Sequence, residues 1–254
     1  MTAPGNRPRE TVLILGATSA IARAVASELA RRGFDLLLAG RDAAELETLA
    51  GDLQVRYGGN AAARAFDALA LETHKPFFED CQAASSGTLH GVVLCFGYLG
   101  DQATAQADLV ETRRILDTNL MAAVSIFNVI ANDFEARRRG FLCALSSVAG
   151  DRGRQSNYIY GSAKAGLSVY LQGLRNRLFH SGVRVVTIKP GFVDTAMTFG
   201  RPGMFLVASP EAAGRRIVKA IIGGDDVAYV PGFWRVLMLL IRAIPERIFK
   251  RMRL

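Results

Sequence analysis

Short apolar runs alternate along the chain with stretches whose apolar positions recur three or four residues apart. Thr11 to Leu15 reads TVLIL, a β-rich run, and over Ser19 to Arg32 the residues Ile21, Val25 and Leu29 fall at helical spacing. FDLLLAG forms a second such run, and the helical pattern of RDAAELETLAGDLQVRYG follows it, ended by Gly58 and Gly59. ARAF, GVVLCFG, GFLCALSS and VRVVTIKPG are further strand candidates, each separated from the next by a helical stretch. Parallel strands need crossover connections, so this alternation predicts an α/β fold, a doubly wound parallel sheet with helices on both faces. At 254 residues one such domain is expected over 1–232, followed by an amphipathic arm over 233–254.

Composition narrows the picture. Half of the residues are hydrophobic and 21% are charged, as in a folded globular chain. Thr2 to Arg9, polar and with two prolines, is expected to fray, and the lack of an apolar core in the first ten residues argues against a signal peptide. Cys81, Cys95 and Cys143 form no CxxC pair, which suggests buried reduced thiols and a cytoplasmic setting. His74, His90 and His180 lack metal-ligand spacing, so no metal is expected. The net charge of +8 suits an anionic partner; no nucleic-acid recognition motif accompanies it.

In a Rossmann-like sheet the first strand-to-helix turn meets the pyrophosphate of a dinucleotide. Here that turn is GATSAIA, with Gly16 for the tight bend and Ala20 and Ala22 where glycines usually stand. The helix N-terminus at Ser19, Ala20 and Ile21 offers free N–H groups, and the Thr18 and Ser19 hydroxyls add donors. Taken alone, such a turn is equally compatible with a mere bend. At the end of the second strand stands Arg41, able to pair with a 2′-phosphate, which favours NADP(H) over NAD(H). Asp42 beside it, and a solvated arginine opening a helix, are the competing readings. Asp35 has the spacing of a ribose-binding acid but opens the strand, the wrong end.

YGSAK, Tyr160 to Lys164, begins a helical pattern in which residues four apart face one side. A lysine cation beside the phenol is expected to lower its pKa, fitting Tyr160 to donate a proton to a carbonyl oxygen under reduction. Ser147, at the end of GFLCALSS, can hydrogen-bond the same oxygen, while Ser146 points the other way and is read as structural.

These ordered motifs resemble the short-chain dehydrogenase/reductase family over nearly the full chain. The resemblance implies a catalytic tetrad of Asn119 in TNLMA, Ser147 in SSVAG, and Tyr160 and Lys164 in YGSAK. It further implies that Lys164 binds the nicotinamide ribose, that Asn119 holds a proton-relaying water, and that Asp67 in FDAL contacts adenine. In KPGFVDT, Pro190 and Gly191 lead to Val193 and Thr195, whose positions touch the nicotinamide amide in the family. Two departures stand out: the family's TGxxxGxG is LGATSAIA here, and its NNAG is LCFG, keeping only Gly97. A homo-oligomer is implied as well. Some members of this fold bind dinucleotide as sensors without turnover, a role for which the tetrad is superfluous.

The arm FWRVLMLLIRAIPERIFKRMRL alternates Trp234, Leu237, Leu240, Ile241, Ile244, Ile248 and Phe249 with Arg235, Arg242, Arg247, Lys250, Arg251 and Arg253. Only six residues, Val236 to Ile241, run uncharged, too few to cross a bilayer. A helix lying in an anionic membrane interface, at the inner face of the membrane, or one packed on a neighbouring subunit fits this pattern. The resemblance places a substrate-covering loop before the arm, and its Met197, Phe199, Met204, Phe205 and Leu206 suit an apolar or lipid-linked substrate or ordinary packing. The GxTSxI loop, FGxLGD at Phe96 to Asp101, and IPxxIF at Ile244 to Phe249 resemble those family members that reduce a polyprenylphosphoryl 2-keto-pentose supplied by a separate flavin oxidase. A general ketoreductase acting on a lipid or acyl substrate is the alternative.

Overall fold

A computed structural model describes residues 9–85, 89–195 and 206–252. Seven strands form one sheet in the order β3-β2-β1-β4-β5-β6-β7, every neighbouring pair parallel. The first half runs β1 (Thr11–Leu15), α1 (Ala20–Arg31), β2 (Asp35–Gly40), α2 (Ala43–Tyr57), β3 (Ala61–Ala65), α3 (His74–Ala84) and β4 (Leu89–Leu94). Next come α4 (Gln102–Ala105), α5 (Leu109–Leu116), α6 (Ala122–Arg137), β5 (Phe141–Leu145), α7 (Tyr158–Leu178) and β6 (Arg184–Pro190). The chain closes with α8 (Pro210–Gly223), β7 (Val227–Val230), α9 (Trp234–Ala243) and α10 (Glu246–Phe249).

The strands are apolar throughout because both faces are covered. Successive side chains alternate: Val12 and Ile14 enter the core beneath α1, α2 and α8, whereas Leu13 and Leu15 enter the one beneath α3, α6 and α7. The helical stretch Leu109–Arg137 has the length and composition to cross a bilayer. Its Ile126, Phe127, Ile130 and Phe134 are nevertheless fully buried in the second core.

Six strands fall where the apolar runs predict them. The seventh, Val227–Val230, is an edge strand of four residues, too short to leave a periodic signal. Ser147 does not end a strand: β5 stops at Leu145, and Ser147 caps a short 3₁₀ turn over Val148–Gly150. The three cysteines are buried and unpaired by disulfide. The arm is not one helix, because Ile244 leaves helical geometry before Pro245 and the chain restarts as α10.

Candidate active site

β1 and β4 are neighbours from which the chain departs in opposite directions across the sheet, and ligands of open α/β sheets lie outside the strand ends at such a point. A cavity of about 310 Å³ opens there, lined by Gly16, Thr18 and Ser19 after β1, Arg41 after β2, Asp67 after β3, and Gly97 after β4. Gly16 has φ +80°, and a Cβ on it would stand 2.7 Å from the Phe96 backbone nitrogen. The two loops therefore touch backbone to backbone, which only glycine permits. Ser19 caps α1, its Oγ accepting from Ala22 N at 3.3 Å. Ala20 and Ile21 form the first turn of α1 and do not line this cavity; Ala22, standing for the third glycine, is fully buried against the core.

Asp42 caps α2, accepting from Glu45 N at 3.0 Å. Arg41 is exposed at the cavity and makes no ion pair among the described residues. Asp35 sits at the opposite end of β2, accepting from Asn60 N at 2.8 Å. Asp67 lines the cavity and accepts from Leu69 N at 3.0 Å. Sequence reasoning missed Phe66, Leu69, Tyr98, Arg114 and Thr118, which also line it. Arg114 stacks over the Tyr98 ring at 4.2 Å, and its spacing from Thr118, i to i+4 just before Asn119, was the available signal. This donor set, with a helix N-terminus, two arginines and apolar walls, fits a dinucleotide's phosphates and adenine.

Deeper in, Asn119, Ser147, Tyr160 and Lys164 converge. Asn119 lies in a π-helical turn, Asp117–Met121, between α5 and α6. Its amide donates to Tyr98 O at 2.5 Å and Ile115 O at 2.8 Å and accepts from Tyr98 N at 3.2 Å, clamping the loop after β4. A Cβ on Gly97 would lie 2.9 Å from Asn119 Oδ1 and 3.5 Å from Lys164 Nζ, so this glycine joins the cavity to the tetrad. Ser146 is structural as expected, donating to Lys164 O at 2.9 Å and bonding Ser168 Oγ at 2.7 Å. Together these bonds seat α7 on the end of β5.

Lys164 is buried and donates to Leu145 O at 2.9 Å; burial pulls its ammonium down to about 8, opposed by Cys95. Its Nζ lies 5.7 Å from the centre of the Tyr160 ring. The expectation that lysine lowers the phenol is corrected here. Tyr160 keeps part of its surface open, yet protein packed about its hydroxyl pushes it up to about 12, with the Ser147 hydrogen bond opposing. Desolvation sets the direction, and the ammonium, hydrogen-bonded to the Leu145 carbonyl, does not counter it.

Beyond β6, Val193 is buried in the core and bridged to Ala208, so that position can offer a ligand only backbone. Pro190, Gly191 and Thr195 are half-buried and, like Val193, are not among the residues lining the cavity. Of the expected covering loop, Met197, Phe199, Met204 and Phe205 lie outside the described residues; Leu206 is exposed.

The profile of the family described as short chain dehydrogenase matches residues 10–202. An uncharacterized oxidoreductase of Mycobacterium tuberculosis is 36% identical over 241 residues, covering 95% of this chain and 96% of its own. A serine 3-dehydrogenase of Agrobacterium fabrum is 30% identical over 224 residues, covering 86% and 84%. Among solved structures, a short-chain dehydrogenase from Sphingobium yanoikuyae in complex with NADPH superposes with a TM-score of 0.78 at 24% identity, covering 93% and 97%. An actinorhodin polyketide ketoreductase with NADPH gives 0.79 at 20%, covering 89% and 97%.

Proposed function

The chain belongs to the short-chain dehydrogenase family and is an oxidoreductase, and on that premise we propose that it is an NADPH-dependent carbonyl reductase. The observation that carries the reading is the meeting of Ser147, Tyr160 and Lys164 next to the glycine cradle of Gly16 and Gly97. The NADPH held by the two structural neighbours named above supports the cofactor class. The Arg41 guanidinium, without an ion pair among the described residues, supports NADP(H) over NAD(H), since a 2′-phosphate would give it a bidentate partner.

When bound, the nicotinamide supplies a hydride to the carbonyl carbon. Tyr160 holds the proton destined for the carbonyl oxygen, and its high pKa keeps that proton on the phenol until charge builds on the oxygen. Ser147 donates to the same oxygen and lowers the cost of that charge. Lys164, anchored on Leu145 O, stabilises the phenolate left behind and meets the nicotinamide ribose. Asn119 fixes the loop after β4 through Tyr98 and stands where a relay water reaches the lysine. Asp67 would hold the adenine, Thr18 and Ser19 with the first turn of α1 at Ala20 and Ile21 would hold the pyrophosphate, and the segment of Pro190, Gly191, Val193 and Thr195 would meet the nicotinamide from outside the cavity.

The finer substrate reading is a polyprenylphosphoryl 2-keto-pentose, as in the reductase component of the decaprenylphosphoryl-ribose 2′-epimerase system, with a flavin oxidase as upstream partner. The GATSAIA, FGYLGD and IPERIF stretches support it. The enzyme then works as a homo-oligomer in the cytoplasm, peripheral to the inner face of the membrane.

The test is a titration with NADPH and NADH followed by nicotinamide fluorescence, with Arg41→Ala alongside. NADPH should bind in preference, and the variant should lose that preference. Binding of neither cofactor would overturn the reading.

A further inference from the structure

The C-terminal arm has one face in the core and another that no described residue covers. Trp234 and Met238 are buried, and with Leu237 and Ile241 they pack on Val148, Phe192 and Tyr229. A Cβ on Gly191 would come within 1.9 Å of Trp234 Nε1, so α9 is seated directly on the loop after β6. Arg152 fastens the far end. It donates to Arg242 O at 3.4 Å, pairs with Glu246 at 2.7 Å and lies over the Phe249 ring at 4.2 Å. The arm is thus fixed to the segment that follows Ser147.

At 100° per residue, Val236, Leu239, Leu240 and Ala243 fall on the arc opposite Trp234 and Met238. Val236, Leu239 and Leu240 are 62%, 66% and 61% exposed, and no polar residue interrupts the arc. A helix on the surface of a soluble protein carries polar residues on its outer face. Arg235 and Arg242, seven apart, flank one edge of the arc, and Arg247, Lys250 and Arg251 are exposed beyond it with the apolar Ile248 and Met252. From residue 233 onward the sequence holds six cations and one acid, Glu246, already paired with Arg152.

We propose that this outer face docks on an anionic lipid surface. The charge decides the occupant: a second copy set against the same face would bring like charges together, whereas anionic headgroups neutralise the cations while the acyl boundary takes up the leucines. The helix lies on the membrane and does not cross it, since α9 has ten residues and spans about 15 Å, half the ~30 Å of a hydrocarbon core. Docking rests on this surface alone. Its use rests on the reductase reading: the arm's contacts with Gly191, Phe192 and the 148–152 segment tie that surface to the segment following Ser147, so a lipid-borne ketone would be delivered beside it.

The experiment is flotation of the full chain, loaded with NADPH, on vesicles of phosphatidylglycerol and phosphatidylcholine and on phosphatidylcholine alone. It is run for the wild type and for Leu239→Glu/Leu240→Glu, with molar mass and NADPH affinity measured in parallel. The wild type is expected to float with the anionic vesicles only, less so as salt rises, and the double variant to bind about tenfold more weakly. NADPH affinity and mass should be unchanged in the variant. A wild type that stays at the bottom of the gradient, or a variant that floats equally well, overturns the proposal. So does a variant whose mass drops to a smaller species, which would mean that a second copy covers this face. No ketone is needed, so failure here and failure of the keto-sugar reading are separable.

Discussion

At Tyr160 the protein withholds a proton rather than releasing one: burial lifts the phenol to about 12, and Ser147 only partly offsets it. Replacement by Phe removes that proton and should slow carbonyl reduction by about 10²–10⁴-fold while NADPH binding changes little, as read by steady-state rates beside a fluorescence titration. Lys164 behaves oppositely, burial lowering it to about 8. Its folded value lies below the unfolded one, so the buried ammonium costs stability below about 8, a cost relieved as pH rises towards ~10.4. Its service to Tyr160 requires the charge, so kcat/KM for reduction should fall as pH rises through about 8; a pH–rate profile flat across that region would contradict the assignment. At the cofactor end, Arg41→Ala removes charge-assisted hydrogen bonds worth about 1.5–3 kcal/mol, so NADPH should bind roughly 10–100-fold more weakly and NADH almost unchanged. The sequence could place Tyr160 and Lys164 on one helix face and Arg41 after β2 because such spacing is local, whereas Ser147, expected at a strand end, caps the turn beyond β5. The proton affinities of Tyr160 and Lys164 were not legible, because desolvation depends on what α7 packs against.

At the scale of elements, uninterrupted apolar runs announced the central strands, since burial on both faces removes any polar alternation. β7 escaped because VAYV is a short edge strand, and the π turn at Asn119 escaped because it is a single widened turn inside a continuous helical stretch. The turn after β1 shows how a loop poor in glycine still works. The one glycine retained is the one with φ +80° and with Phe96 against its α-carbon, while Ala22 fills a buried site where a methyl packs. Gly16→Ala should therefore cost about 1–2 kcal/mol for the left-handed backbone alone and lower Tm by about 2–8 °C. Dinucleotide affinity should fall with it, since the displaced Phe96 neighbours Gly97. Thermal denaturation with and without NADPH checks both; an unchanged Tm would mean that the two loops do not meet as described.

For the whole molecule, the sequence marked the arm as amphipathic but could not say which apolar residues turn inward. The answer depends on Gly191, whose missing side chain makes room for Trp234. Trp234 is the chain's one tryptophan and is buried, so its emission reports on the arm directly. Gly191→Ala should shift that emission to longer wavelength as the ring is expelled, and an unshifted spectrum would mean the arm is seated otherwise. The proposed reaction reduces a carbonyl with a nicotinamide hydride and the proton of Tyr160. It is tested most directly by following NADPH consumption by the wild type and by Tyr160→Phe over a panel holding a polyprenylphosphoryl 2-keto-pentose and simpler acyl ketones. One alcohol should form per NADPH oxidised by the wild type, and the variant should be slower by at least about 10² while still binding NADPH. Equal rates in the two proteins, or an enzyme that binds NADPH and reduces none of the panel, would contradict it.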